Sequence, residues 1–302
     1  VKAADFLYHR AGSVAEAVTL LDEYAGEARL LAGGQSLMPM LNMRLWRLGA
    51  LIDVNQVPGL DGIEAEGEGD LEETRIGALT RYVSLERSEV VASRLPLLAE
   101  MVRHIGDRQV RNRGTLGGSL VQGDPTAEMP LGCLVLGARV RVESGRGSRE
   151  IAMGEFYDGS YAAALEFDEM VTEIRFPRHP SHFAFSELTR RHGDFCVLSV
   201  AVTGECDSDG CWHDLRIGLG GVSDMPVPAE AASARLSGTR LTDDDIREAA
   251  ALTVEDIDPP SDMRATAEYR THLVPVHVRR ALQQLRARAS ATELLTRTRE
   301  NR

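Results

Sequence analysis

Two glycine pairs, about 80 residues apart, constrain this chain more than any other feature. The first stands in Leu31-Ala32-Gly33-Gly34-Gln35-Ser36-Leu37-Met38-Pro39. The second stands in Arg111-Asn112-Arg113-Gly114-Thr115-Leu116-Gly117-Gly118-Ser119 and runs on to Asp124-Pro125-Thr126-Ala127-Glu128. Each places a glycine pair and a hydroxyl residue on a loop, the first after an expected strand and the second after an expected helix. Consecutive main-chain N–H groups in alternating left- and right-handed conformation form a concave nest for phosphate oxygens. Glycine allows those conformations and a close backbone approach. Ser36, Thr115 and Ser119 add hydroxyl donors. A nest of this kind needs no lysine, which suits a chain of net charge −12, where no global positive field could hold a phosphate. Two such loops suit a diphosphate gripped from both sides. Taken singly, each pair is also an ordinary structural turn. G-x-G-x-x-G and the P-loop ending G-K-[ST] are absent at both places, so neither mononucleotide signature is indicated.

The pattern around the loops is mixed α+β. Ser13-Val14-Ala15-Glu16 reads as a capping box, with Val14, Ala17, Val18 and Leu21 at helical spacing. Gly26 is expected in the exit turn. Arg29 to Ala32, Ala50 to Val54 and Arg75 to Leu79 read as strands. The glycine- and acid-rich stretch 61–73 between them reads as a solvated hairpin or loop. Leu98, Met101, Val102 and Ile105 mark the stripe of a second helix. Arg139 to Glu143, and Ile174 with Phe176, alternate as half-buried strands do. Pro177 to Ser181 is the best linker. Beyond it Phe183 to Leu188, Val197 to Thr203 and Trp212 to Leu219 read as successive antiparallel strands. A helix capped by Thr242 or Asp243 follows, and a last one is striped by Val278, Ala281, Leu282 and Leu285. Residues 287–302 read as a basic, frayed tail. The expected domains are therefore 1–177 and 178–286.

Composition excludes several classes. At 302 residues, 43% hydrophobic and 26% charged, the chain has an ordinary globular profile. Its acidity argues against a general nucleic-acid binder. No apolar run approaches the roughly 18 residues of a membrane span. The opening Val1-Lys2-Ala3-Ala4-Asp5-Phe6 carries no apolar signal core, so a cytoplasmic location is expected. Cys133, Cys196, Cys206 and Cys211 form no C-x-x-C pair, so no iron–sulfur cluster and no metal is expected in this chain. Cys206, Cys211 and His213 come nearest to a zinc set; reduced thiols are the simpler reading.

Taken jointly, the motifs carry a resemblance. A-G-G-x-S-L-x-P followed by Asn42-Met43-Arg44-Leu45 resembles the first FAD motif of the medium subunits of molybdenum hydroxylases, the xanthine dehydrogenase, carbon monoxide dehydrogenase and nicotine dehydrogenase family. R-N-x-G-T-[IL]-G-G-[NS]-x(4)-D-P-x-x-[DE] resembles the second. Arg190-Arg191-His192-Gly193-Asp194-Phe195, Gly218-Leu219-Gly220-Gly221-Val222, Ala267-Glu268-Tyr269-Arg270 and Arg279-Arg280-Ala281-Leu282 extend the similarity over about residues 3–285. The resemblance implies a vanillyl-alcohol-oxidase-type (PCMH) FAD-binding domain with subdomains of about 1–57 and 58–177. A carbon monoxide dehydrogenase flavoprotein-type C-terminal α+β domain follows. It implies that Ala32, Gly33, Gly34, Gln35 and Ser36 wrap one side of the FAD pyrophosphate. Thr115, Gly117, Gly118 and Ser119 wrap the other, Asp124 binds ribityl or ribose hydroxyls, and Phe195 lies near the isoalloxazine. Many relatives have His where Gln35 stands and Asn where Ser119 stands; both replacements keep a polar side chain. Ser186 stands where eukaryotic xanthine dehydrogenases carry a lysine, which weakens an analogy to their use of NAD.

The implied role is electron transfer. Substrate is oxidised at the molybdenum cofactor of a large partner subunit and electrons reach this chain through iron–sulfur clusters of a small one, together in a dimer of heterotrimers. FAD passes electrons to an external acceptor, and no catalytic residue is assigned. Two other readings stay open at this point, a self-contained FAD-dependent oxidase or dehydrogenase of a small molecule, and a diphosphate-binding protein without redox chemistry.

Overall fold

The computed structural model describes residues 2–300, apart from the side chains of Asp70 and residues 292–300. It divides into two compact units, Val1–Asp124 with Gly137–Arg178, and Pro125–Leu136 with His179–Arg302.

The first unit begins with β1 (Leu7–Arg10), α1 (Val14–Glu23), β2 (Ala28–Leu31), α2 (Leu37–Asn42) and β3 (Ala50–Asp53). The strands form a parallel sheet in the order β1-β3-β2, the arrangement that helical crossovers between strands require. Helix α1 starts as its sequence suggests: the Ser13 hydroxyl accepts the Glu16 N–H at 3.1 Å. The return half of the expected box is displaced by one residue, because the Glu16 carboxylate accepts the N–H of Gly12, at 2.7 Å, instead of that of Ser13. Ala17, Val18 and Leu21 are buried with Ala50 and Ile52 of the central strand and Val54 at its exit. Gly26, at φ +92°, turns the chain from α1 into β2.

A five-stranded antiparallel sheet follows, in the order β4-β5-β10-β6-β7. Its strands are β4 (Ile63–Glu66), β5 (Glu73–Gly77), β6 (Arg139–Ser144), β7 (Gly147–Ala152) and β10 (Met170–Pro177); β8 (Tyr157–Gly159) and β9 (Ala162–Ala163) make a small separate pair. The acid-rich stretch is the β4–β5 hairpin. The single helix expected from Leu98, Met101, Val102 and Ile105 is one link of a chain of short helices: α3 (Tyr82–Arg87), α4 (Glu89–Arg94), α5 (Pro96–Met101), α6 (Arg108–Arg113) and α7 (Leu116–Gln122). Each break has a local cause. Ser88 and Asp107 cap α4 and α6 with their side chains, Pro96 opens α5 where its missing N–H is harmless, and Thr115 caps α7.

The second unit is built on an antiparallel sheet, β11 (His182–Leu188), β12 (Leu198–Cys206), β13 (Trp212–Gly220) and β14 (Val227–Pro228), adjacent in that order. Its helices are α8 (Glu128–Val135), α9 (Glu230–Leu236), α10 (Asp243–Leu252) and α11 (Ala267–Glu300). Thr242 caps α10 in a complete capping box with Asp245. The expected division fell only at 177–178. The chain passes from the first unit to the second between Arg178 and His179, and it also lends residues 125–136 to the second unit.

The reason is the composition of one sheet face. Leu198, Val200 and Val202 point into the core formed with α9, α10 and α11. The alternate residues Ser199 and Ala201 pair with Gly220 and Gly218, so the opposite face carries almost no side chains there. Helix α8 lies against that small-residue face: a Cβ on Gly218 would come within 2.4 Å of Val135 and 2.8 Å of Leu131. The expected frayed tail is also different. Helix α11 continues to Glu300, and Ala289 belongs to the buried core; residues 301–302 of that expected tail lie outside the described residues. Among the described residues no helix is long and apolar enough to cross a membrane.

Replacing Gly218 by Val should force α8 off the sheet. A loss of about 1–3 kcal/mol in unfolding free energy is expected from this overpacking, measured by denaturant titration of the whole chain.

Candidate functional site

Strand β2 delivers the chain into Ala32–Ser36, and Gly34 turns it at φ +69°, in the left-handed region. Gly33 is buried, and the reason it must be glycine is steric. A Cβ there would stand 2.3 Å from the main-chain oxygen of Arg113 and 2.9 Å from Cα of Gly114. From the other side, a Cβ on Gly118 would reach to 2.6 Å of the Thr115 hydroxyl and 3.8 Å of the Ala32 methyl. The two motifs, distant in sequence, therefore touch backbone to backbone.

Their contributions differ. Among the described residues, nothing accepts a hydrogen bond from the main-chain N–H groups of Gly33, Gly34, Gln35 or Ser36. Ser36 stands at the N-cap of α2 without using its side chain as a cap. The Gln35 amide folds back onto the Gly33 carbonyl at 3.0 Å and stiffens the turn. In the second motif the amides are already engaged: Leu116 to Thr80 O, Gly117 to Ala78 O, Gly118 to the Thr115 hydroxyl and Ser119 to Thr115 O. Neither Gly117 nor Gly118 is in the left-handed region; both lie in the first turn of α7. The nest of free amides expected on both loops is thus a property of the first loop alone. The second supplies a capped helix start, small residues and the Ser119 side chain. Gly117 is needed for packing, since a Cβ would stand 2.6 Å from that of Ala78. Asp124 is half-buried and closes the motif just after Gly123, which ends α7 at φ +63°.

Two residues that the sequence did not single out join these loops. The Asn55 side-chain amide donates to the carbonyls of Leu31 at 3.0 Å and Ala32 at 2.9 Å. Its oxygen accepts from Arg81, whose guanidinium also donates to the Arg113 carbonyl. Neither belongs to a glycine motif, and an asparagine just beyond a strand looks like any turn residue.

Phe195 belongs to the second unit and is 54% exposed. Its own N–H donates to Asp194 at 2.9 Å, and the Arg264 guanidinium lies 4.9 Å from its ring centroid. Arg264 rides on a loop held by a buried clamp. Arg270, with no exposed surface, donates to Val197 O, to Gly221 O at 2.6 Å and to Asp262 at 2.8 Å. Burial alone would raise the pKa of Asp262, but the amides of Ala265 and Arg264 and the Arg270 guanidinium hold it at about 2. His192 is exposed. Ser186 bonds Nδ1 of the buried His277 at 2.9 Å; burial, and then Arg280, depress that imidazole's pKa. His213 pairs with Asp207 at 2.9 Å, and Asp207 also accepts the Cys211 N–H, so this group closes the β12–β13 hairpin. Among the described residues no cluster of three or more His, Cys, Asp or Glu could hold a metal.

Comparison with known proteins accounts for this geometry. Residues 3–179 match the FAD binding domain in molybdopterin dehydrogenase, and residues 183–285 match the CO dehydrogenase flavoprotein C-terminal domain. The chain belongs to the FAD-binding medium subunits of the molybdenum hydroxylase family. It is 35% identical over 295 residues to the 6-hydroxypseudooxynicotine dehydrogenase complex subunit alpha of Paenarthrobacter nicotinovorans, covering 97% of this chain and 98% of that one. It is 37% identical over 286 residues to the carbon monoxide dehydrogenase medium chain of Afipia carboxidovorans, covering 94% and 98%. The structure of reconstituted CO dehydrogenase from Oligotropha carboxidovorans superposes with a TM-score of 0.91 at 36% identity, over 95% of this chain and 100% of that one. This chain is accordingly an oxidoreductase flavoprotein subunit whose cofactor is FAD.

The residues fit that cofactor. Four successive amides without a protein acceptor are what a pyrophosphate requires. Gly33 and Gly118 keep side chains out of the place where the loops meet. Gly33→Ala should part the loops, because the clash is with a carbonyl that cannot swing away. At least about a tenfold weaker FAD affinity is expected, read by quenching of flavin fluorescence; each factor of ten is about 1.4 kcal/mol. The Asp262 clamp should show in acid. Its folded pKa lies below the ordinary 3.8, so its stabilisation is present above about pH 4 and is lost as pH falls towards 2. Asp262→Asn should remove that part of the acid transition, followed by circular dichroism between pH 5 and pH 2.

Proposed function

We propose that this subunit is an electron-transfer station: it takes electrons from iron–sulfur clusters of a partner subunit and passes them to an external acceptor. The observation that carries the reading is the packing of the second glycine motif against the first, whose amides are free, in a chain that matches medium subunits along nearly its whole length. Bound FAD would supply the redox chemistry that links one-electron cluster carriers to a two-electron acceptor.

The chain's own work is binding and orientation. The amides of Gly33 to Ser36, with the Ser36 hydroxyl, would hold the pyrophosphate, with Ala32, Thr115, Gly117, Gly118 and Ser119 shaping its surroundings. Asp124 is proposed for ribityl or ribose hydroxyls, and Phe195 is assigned by resemblance to the flavin's neighbourhood. No proton transfer from protein is needed for electron passage, so no catalytic residue is named. Partners are proposed as a large molybdenum-cofactor subunit and a small iron–sulfur subunit in a dimer of heterotrimers, in the cytoplasm.

Rapid mixing tests the role. Oxidised, FAD-loaded chain should lose its flavin absorbance near 450 nm on mixing with a chemically reduced iron–sulfur subunit. It should show no substrate-driven bleaching alone. Turnover of a small molecule by the isolated chain would replace this reading with a self-contained oxidase.

A further inference from the structure

We infer that Asn55 and Arg81 are positioning residues that assemble the two glycine motifs into one cradle before the cofactor arrives. The inference rests on the FAD reading for its purpose, but its physical content concerns the ligand-free chain.

The geometry is a relay between loops. Asn55 sits just past β3, held by its own N–H to Asp53 at 2.9 Å. Its amide nitrogen donates to the last two carbonyls before Gly33 and to Asp53, at 2.8 Å. The amide oxygen faces Arg81. Arg81 reaches on to the Arg113 carbonyl, the same oxygen against which Gly33 is packed. Two separate features therefore converge on one carbonyl of the second motif: the guanidinium and the bare Cα of Gly33.

Backbone pairing aims Arg81 at that point. Residue 81 bridges Thr115, the Tyr82 N–H donates to Gly114 O at 3.1 Å, and the Leu116 N–H donates to Thr80 O at 3.1 Å. Among the described residues no carboxylate lies within 4 Å of the Arg81 guanidinium. Burial and neighbouring Arg113 lower its pKa, against the more distant carboxylates of Asp53 and Asp61, which raise it; the guanidinium remains charged. A partly buried cation without an ion-pair partner, spent on an amide oxygen and a carbonyl, is unusual for a surface arginine. A guanidinium has a planar fork that can hold two such acceptors at once, and an ammonium does not.

The role differs from that of a phosphate ligand. A ligand arginine would act on the phosphate itself, so its loss would weaken FAD binding without loosening the ligand-free loops, and Asn55 would be dispensable. A clamp acts by shape, so lysine would fail and both residues would matter. Preorganisation lowers the ordering cost met at binding, so loss of the clamp appears as weaker affinity with the contact residues intact.

The test uses the full chain with Asn55→Ala, Asn55→Asp, Arg81→Ala and Arg81→Lys. FAD affinity is measured by fluorescence quenching, and amide hydrogen exchange is measured without ligand on peptides covering residues 31–40 and 112–119. Asn55→Ala, Arg81→Ala and Arg81→Lys should each weaken FAD binding by about tenfold or more and speed exchange in both peptides. Asn55→Asp keeps an oxygen towards Arg81, loses the donors to Leu31, Ala32 and Asp53, and sets a second carboxylate beside that of Asp53. It should speed exchange in 31–40 while 112–119 stays as in the unsubstituted chain, and it guards against a variant that merely fails to fold. Wild-type affinity in Arg81→Lys, or unchanged exchange in Asn55→Ala, overturns the clamp. Failure of the unsubstituted chain to take up FAD would instead overturn the cofactor reading, and the ligand-free exchange result would still decide the clamp.

Discussion

The candidate site depends on the close contact between Gly33 and the carbonyl of Arg113. It leaves room for a hydrogen atom and nothing more. Because the obstacle is main chain, no rotamer change relieves it, and neighbouring residues are fixed in turn. Gly34 must turn left-handed to carry the chain into α2, and four amides are left without an acceptor among the described residues. An acidic chain can hold an anion on those terms. The attraction is local and dipolar, so the distant carboxylates matter little beyond a Debye length.

Much of this was legible beforehand, and the limits are physical. Glycine pairs mark places where Cβ atoms are forbidden, so both loops could be read from the residues alone. What each glycine avoids could not be read. Gly33 avoids a carbonyl, Gly117 avoids Ala78, and only the first loop keeps its amides free. That asymmetry arises because the second motif is the start of a helix, and its Thr115 cap was hidden by being taken for a ligand donor. Asn55 and Arg81 gave no signal, since their partners are backbone atoms from elsewhere in the chain, and backbone carries no residue identity.

The same logic governs the secondary structure. The strands of the second unit showed as alternation because one face of each meets an apolar core. The short helices between Tyr82 and Gln122 did not separate, because only residues 95–105 carry a dense apolar stripe, while α4 buries Val91 alone and α6 buries no residue that could mark it. Residues 128–135 fall within the expected domain 1–177, with no helix expected there, because the partners of α8, Gly218 and Gly220, have no side chains to reveal a packing face. Arg270 was noticed as part of a motif. Its burial and its grip on two strand ends and Asp262 emerge only from the fold.

The placement of α8 bears on how the chain is made. Ribosomes release residues 128–135 long before β13, which ends at Gly220. At about 5–20 residues per second the helix waits on the order of 5–20 s for the sheet that covers it. Its Met129, Leu131, Cys133 and Val135, all buried in the finished protein, are exposed to the cytosol for that interval. Nor can one cut separate the halves cleanly: a fragment beginning at the linker would present a bare strip of Ser199, Ala201, Gly218 and Gly220 to water. Chimeras that exchange the two units therefore need three junctions, the linker and one on each side of α8.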